Sequence, residues 1–134
     1  MTNQVLKQEA QPAYDAIPAD NGFANRRRHV RIYYPENCPK KFLPELILNY
    51  RAYPVLDISE GGVRFAAPNA ALIKDGPITA GLRFPDGDFI DISGVVVRRM
   101  RNQIALMLEK GIPYCRIMSE QLRLKNLENN GVIA

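Results

Sequence analysis

Four arginines crowd the segment "NRRRHVR", at Arg26, Arg27, Arg28 and Arg31. A guanidinium is planar and permanently charged; it chelates phosphate oxygens in a fork, reads the O6/N7 edge of guanine, or stacks on a purine face. Arg27 and Arg31 are four residues apart, so they share one side of an extended or a helical backbone. In an extended backbone their Cα atoms lie roughly 13 Å apart, a span suited to a dinucleotide rather than a single phosphate. A second chemical stretch, "DISEGG", begins at Asp57 and reads Asp57-x-Ser59-x-x-Gly62. Two positions apart in a strand means one face, so Asp57 and Ser59 project together beside glycine backbone that no side chain screens. A carboxylate there can accept two hydrogen bonds from the N1–H and N2–H₂ donors of guanine. Taken alone, the stretch is a hairpin turn in which Asp57 and Ser59 cap backbone groups while Gly61 and Gly62 take positive φ.

The rest of the chain must position these groups. Its 134 residues suit one domain with a modest tail, and 46% hydrophobic with 24% charged residues is ordinary for a globular protein. Net charge is +4; Lys7 against Glu9, Asp15 and Asp20 leaves the first 25 residues at −2, so the remainder carries +6, beginning abruptly at Arg26. That excess points toward phosphates without saying whether they belong to a polymer, a lipid or a small molecule. The N-terminal stretch has neither the basic region nor the apolar core of a signal peptide, and no run approaches the ~20 apolar residues of a membrane span; the expectation is a cytoplasmic protein. Cys38 and Cys115 lack CxxC spacing and His29 is the one histidine. The expectation is therefore two free thiols and no metal centre.

Residues 1–24 lack any sustained period and are expected to form a flexible tail. Strand signals then recur: "HVRIYY", "ELILNY", "YPVLDI", "GGVRFAA" (Val63 and Phe65 on one face, Arg64 on the other), "ITAGLRF", "FIDISGVVVRRM" and "QIALMLE". The "PDGD" between two of them is a turn signal, which is the plain reading of Asp86 and Asp88. Six or so short strands over about 32–110 predict an antiparallel sandwich or small barrel. Ile117, Leu122, Leu124 and Leu127 instead approach helical spacing, predicting one C-terminal helix over 113–128 that covers the sheet, followed by a disordered 129–134.

Arg27-x-x-x-Arg31 followed by Asp57-x-Ser59-x-x-Gly62 resembles the paired signature of PilZ domains, receptors for the bacterial second messenger cyclic di-GMP. The second motif is the sharper one, expected by chance in about one chain of this length in thirty. The resemblance runs from residue 26 to about 128. It implies a six-stranded antiparallel β-barrel of the split-barrel type, a C-terminal helix, and a ligand-binding segment at 25–32 that folds over the barrel when ligand arrives. By that similarity Arg27 and Arg31 hold phosphates and guanine faces, Asp57 and Ser59 contact guanine and other polar groups, and Gly62 keeps the turn open. Arg26, just before the motif, accompanies binding of two intercalated cyclic di-GMP molecules in such proteins; an added guanidinium can stack on a purine and offset a second diphosphate ring. Arg28, Gly61, Arg98 and Arg99 form a second tier at the rim. Adjacent strand residues face opposite ways, so at most one of Arg98 and Arg99 reaches the ligand.

The expected function is that of a receptor without enzymatic activity, a monomer or weak dimer that signals to a downstream protein. A nucleic-acid-binding barrel and a ligand-independent interaction module are the alternatives. The aromatic residues form no stacking stripe with basic neighbours, which disfavours nucleic acid. A lone histidine inside an arginine cluster provides no credible nucleophile–base set.

Overall fold

The computed structural model of the protein describes residues 30–133. Seven strands and one α-helix follow in chain order, with short 3-10 turns at Lys40–Phe42 and Ala70–Leu72: β1 (Ile32–Tyr33), β2 (Glu45–Leu48), β3 (Arg51–Ser59), β4 (Gly62–Ala66), β5 (Pro77–Arg83), β6 (Phe89–Met100), β7 (Gln103–Lys110) and α1 (Tyr114–Asn129). All pairings are antiparallel, and the order β3-β2-β5-β6-β7-β4 closes through β3–β4 into a six-stranded barrel. The expected architecture is therefore present, with β1 as an extra strand. Closure leaves β3 with one edge to share: its first half pairs with β2 through Arg51–Pro54, and its second half with β1 through Asp57 and Ile58.

Alternation along the strands fills the barrel. Leu46, Val55, Ile58, Val63, Phe65, Leu82, Ile92, Ile104 and Leu106 are all buried. A β-bulge makes that possible on β3. Val55 pairs with Phe65 but Asp57 pairs with Arg64, so Leu56 is an extra residue between them. The inserted residue lets both Val55 and Ile58 point inward and sends Asp57 to the outer face. The freed Leu56 carbonyl accepts the Tyr34 N–H at 3.0 Å, extending the tie to the β1 segment. Two further shifts, at Ser93/Gly94 and Val96/Arg98, bend the long β6 around the barrel. A Cβ on Gly94 would stand 2.1 Å from the Met107 carbonyl oxygen, so the strands can approach there only because glycine occupies the position.

The β2–β3 hairpin turns on Asn49 and Tyr50, with φ of 51° and 67°. A two-residue loop with both φ positive matches the strand twist, but the second position favours glycine. Tyr50, β-prone and expected at the end of the strand "ELILNY", instead projects fully into solvent and gains nothing from packing. Tyr50→Gly should therefore raise stability by about 1 kcal/mol, since relief of left-handed strain exceeds the added entropy of the unfolded chain. A lower urea midpoint for this variant would contradict that account.

α1 presses Ile117 and Glu120 against the barrel, with Leu124 and Leu127 half-buried, while Leu122 is 62% exposed. Leu122 shares the apolar character of Ile117 and Leu124 but not their face of the helix. At ~100° per residue Leu124 returns to the side of Ile117, whereas Leu122 lies about 140° away. The expected disorder from 129 onward also gives way. Gly131 takes φ 75° and its N–H bonds the Glu128 carbonyl, while the Val132 N–H bonds that of Leu127. This double bond pattern is a Schellman cap, and it turns the chain so that Ile133 is buried.

A buried polar cluster pins α1. Glu120, wholly inaccessible, accepts from Tyr34 Oη at 2.7 Å, from Arg116 Nη2 at 2.9 Å, and from Arg123 Nε and Nη2 at 2.9 and 2.7 Å. Arg116 reaches on to Asp86 at 2.9 Å and Asp88 at 3.1 Å, its guanidinium carbon 4.1 Å from the Phe84 ring centre. The "PDGD" turn thus also docks the helix. Among the described residues no helix is long and apolar enough to cross a membrane.

Candidate functional site

Outward positions of five neighbouring strand segments build one groove. From the β1 side come Arg31 and Tyr33, from β3 Asp57, from β4 Gly62 and Arg64, from β7 Gln103, Ala105 and Met107, and from β6 Val97, Arg98 and Met100. The cavity they line measures about 730 Å³, within the usual range of small-molecule sites. Its registers are fixed: Tyr33 opposes Asp57, Asp57 opposes Arg64, Arg64 opposes Ala105, and Gly62 opposes Met107. Small residues at Gly62 and Ala105 keep the floor low between taller arginine and methionine walls.

Asp57 is the electrostatic centre. It is only 2% exposed, yet its Oδ1 accepts Arg31 Nη1 and its Oδ2 accepts Arg64 Nε, each at 2.6 Å. Arg64 Nη1 in turn donates to Gln103 Oε1 at 2.6 Å. The arginines are 39% and 31% exposed, so both face the groove while neutralising the carboxylate behind them. Opposite stand Val97, Met100 and Met107, with Val97 and Met107 exposed. A flat heteroaromatic ring can rest on that apolar wall, with hydrogen-bonding edges toward Asp57 and anionic groups toward the guanidiniums.

The two motifs meet here through Arg31 and Asp57, 26 residues apart in the chain. Gly61 and Gly62 line the cavity as well. Ser59 does not; it is buried beside Gly62, its Oγ 3.4 Å from where a Gly62 Cβ would stand. The expectation of positive φ at Gly61 and Gly62 fails, because the glycines with positive φ among the described residues are Gly76, Gly87 and Gly131. A Cβ on Gly62 would meet the Leu106 carbonyl oxygen and Ser59 Oγ at 3.4 Å and Arg31 Nη2 at 3.8 Å, ordinary contact distances, so this position lies against the Arg31 guanidinium without being closed to a side chain. The rim arginines separate as alternation requires. Arg98 lines the groove, whereas Arg99 turns away to bond the Ala70 carbonyl and Asp75. Arg26, Arg27, Arg28 and His29, together with the 1–24 tail, lie outside the described residues.

Sequence reasoning passed over Arg64, Gln103 and the β6–β7 apolar wall. A signal for Arg64 did exist. In a hairpin turning on Glu60 and Gly61, Asp57 and Arg64 are equidistant from the turn and must face each other.

None of the curated proteins compared matches this chain. Among solved structures, an uncharacterised Legionella protein is similar, with a TM-score of 0.46 and 17% identity over 76% of this chain and 97% of that one. The family model described as "PilZ domain" matches residues 25–124, taking in both motifs, every strand and most of α1. The chain belongs to the PilZ domain family of cyclic di-GMP-binding modules.

Proposed function

We propose that the protein is a cytoplasmic cyclic di-GMP receptor in which ligand draws the arginine segment 25–31 over the groove, creating a surface that a downstream protein reads. The observation that carries this reading is the convergence of Arg31 and Asp57 at 2.6 Å on the wall of a cavity large enough for a nucleotide. In the bound state Asp57 accepts from a guanine edge, and Arg27 and Arg31 take phosphates and guanine faces. Arg26 adds the charge that lets a second, intercalated ligand enter. Ser59 supports the turn from behind Gly62 and contacts ligand only if that turn shifts. Arg98, at the far wall, meets a phosphate from the β6 side, with Arg28 as a further rim charge. The role is one of binding, as in the PilZ family to which the chain belongs.

The test is calorimetric titration with cyclic di-GMP. Expected are micromolar or tighter binding, a stoichiometry near two, and a loss of at least tenfold in Arg27→Ala, about the ~1.4 kcal/mol of one charge-assisted contact. No heat and no thermal shift at saturating ligand would reject the receptor reading. Binding to single-stranded nucleic acid that survives Asp57→Ala would favour a basic-arm function instead.

A further inference from the structure

Each carboxylate oxygen of Asp57 already accepts from an arginine in the free site, and the two partners are held very differently. Arg64 sits within β4, register-locked between Asp57 on β3 and Ala105 on β7, and Gln103 braces its other end. Arg31 precedes a two-residue strand and, among the described residues, makes one side-chain hydrogen bond, the one to Asp57. A guanine donor arriving at Oδ1 would have to share that oxygen with Arg31 Nη1, which stands 2.6 Å away across a carboxylate only 2% exposed. If Arg31 leaves for the ligand, a carboxylate that is 2% exposed needs another hydrogen-bonding cation to stay satisfied and aimed. Arg64 is the group in place to provide it.

We infer that Arg64, braced by Gln103, is the positioning residue that holds the Asp57 carboxylate toward the groove, so that Arg31 can exchange from Asp57 to the ligand as a guanine edge takes its place. The inference rests on the cyclic di-GMP reading. Geometry favours Arg64 over lysine in this role. Its Nε and Nη1 bond Asp57 and Gln103 simultaneously, which a single ammonium on a flexible stem does far less well. Arg31 is thereby both latch and ligand contact: it closes the empty site and is released by the molecule that fills it.

The experiment compares cyclic di-GMP with its hypoxanthine analogue, cyclic di-IMP, which lacks the 2-amino donor that Asp57 would accept. Wild-type protein should prefer the guanine ligand by roughly tenfold or more. Arg64→Gln should lower cyclic di-GMP affinity about tenfold and reduce the guanine preference to less than about threefold, because the carboxylate loses its aim. Arg64→Lys should recover part of the affinity but little of the preference, and Gln103→Leu should shift the preference the same way by a smaller factor. Arg31→Ala should weaken both ligands by the same factor and keep the preference.

A folded Arg64→Gln protein with wild-type guanine preference overturns the inference. So does equal weakening of both ligands, which would make Arg64 a plain attracting charge. Should Arg64→Gln fail to fold, the preference measured in Gln103→Leu decides by the same criterion. Wild-type protein that binds neither ligand removes the receptor reading and this inference with it, an outcome distinct from a change confined to the variants.

Discussion

Replacement of Glu120 by alanine should destabilise the protein by about 3–5 kcal/mol, the cost of removing one partner from a buried ionic cluster. The carboxylate is wholly buried and receives four hydrogen bonds, from Tyr34, Arg116 and Arg123. Without it, two enclosed guanidiniums confront each other; Arg116 Nε and Arg123 Nη1 already lack hydrogen-bond partners. Against a total stability of about 5–15 kcal/mol for an ordinary domain, that loss is severe. Tyr34→Phe, which removes one donor and leaves the charges paired, should cost about 1–2 kcal/mol. Burial alone would raise the Glu120 carboxyl, but the hydrogen bonds from Arg123 and Tyr34, with the Arg123 charge and the Arg116 bond, hold it below the ordinary glutamate value. A folded-state value below the unfolded one means the stabilisation is complete above about pH 4.5 and drains away as pH falls through the depressed value. Urea melts at pH 7, 5 and 3.5 should show wild-type stability falling with acid, more steeply than in Glu120→Gln. A cost under about 1 kcal/mol for Glu120→Ala would show that the cluster is solvated.

That cluster was illegible in the sequence for a physical reason. Arg116, Glu120 and Arg123 stand at i, i+4 and i+7, the spacing of a solvated salt-bridged helix face. Only docking reveals that the face is turned inward, because the Tyr34 hydroxyl and the "PDGD" turn that complete it come from remote parts of the chain. The barrel was legible because the strands obey period two and their turns carry Gly, Pro and Asp. Leu122 has the residue type of a core position without its angle on the helix, about 140° from Ile117. Within the groove, Asp57 and Arg31 stood out by residue type and spacing. Arg64 and Gln103 did not, since their roles follow from hairpin register and from closure of β4 onto β7.

Asp57→Ala should separate the site from the fold. Loss of the carboxylate removes the acceptor for a guanine edge and frees both Arg31 and Arg64, so cyclic di-GMP affinity should fall roughly a hundredfold, or about 3 kcal/mol for two charge-assisted hydrogen bonds. Stability should change far less, within about 1 kcal/mol. The arginines left behind are 39% and 31% exposed and can turn to water, unlike those around Glu120. The reverse deletion is the costly one: Arg31→Ala combined with Arg64→Ala strands a buried carboxylate and should destabilise by several kcal/mol more than Asp57→Ala. Urea midpoints and calorimetry on the three proteins check both halves. If Asp57→Ala bound cyclic di-GMP as tightly as the wild type, the carboxylate would be a structural anchor for the two arginines, with no part in reading the ligand. If it unfolded the protein, the outer face of β3 would belong to the core, and the groove would lose its claim to be an independent site.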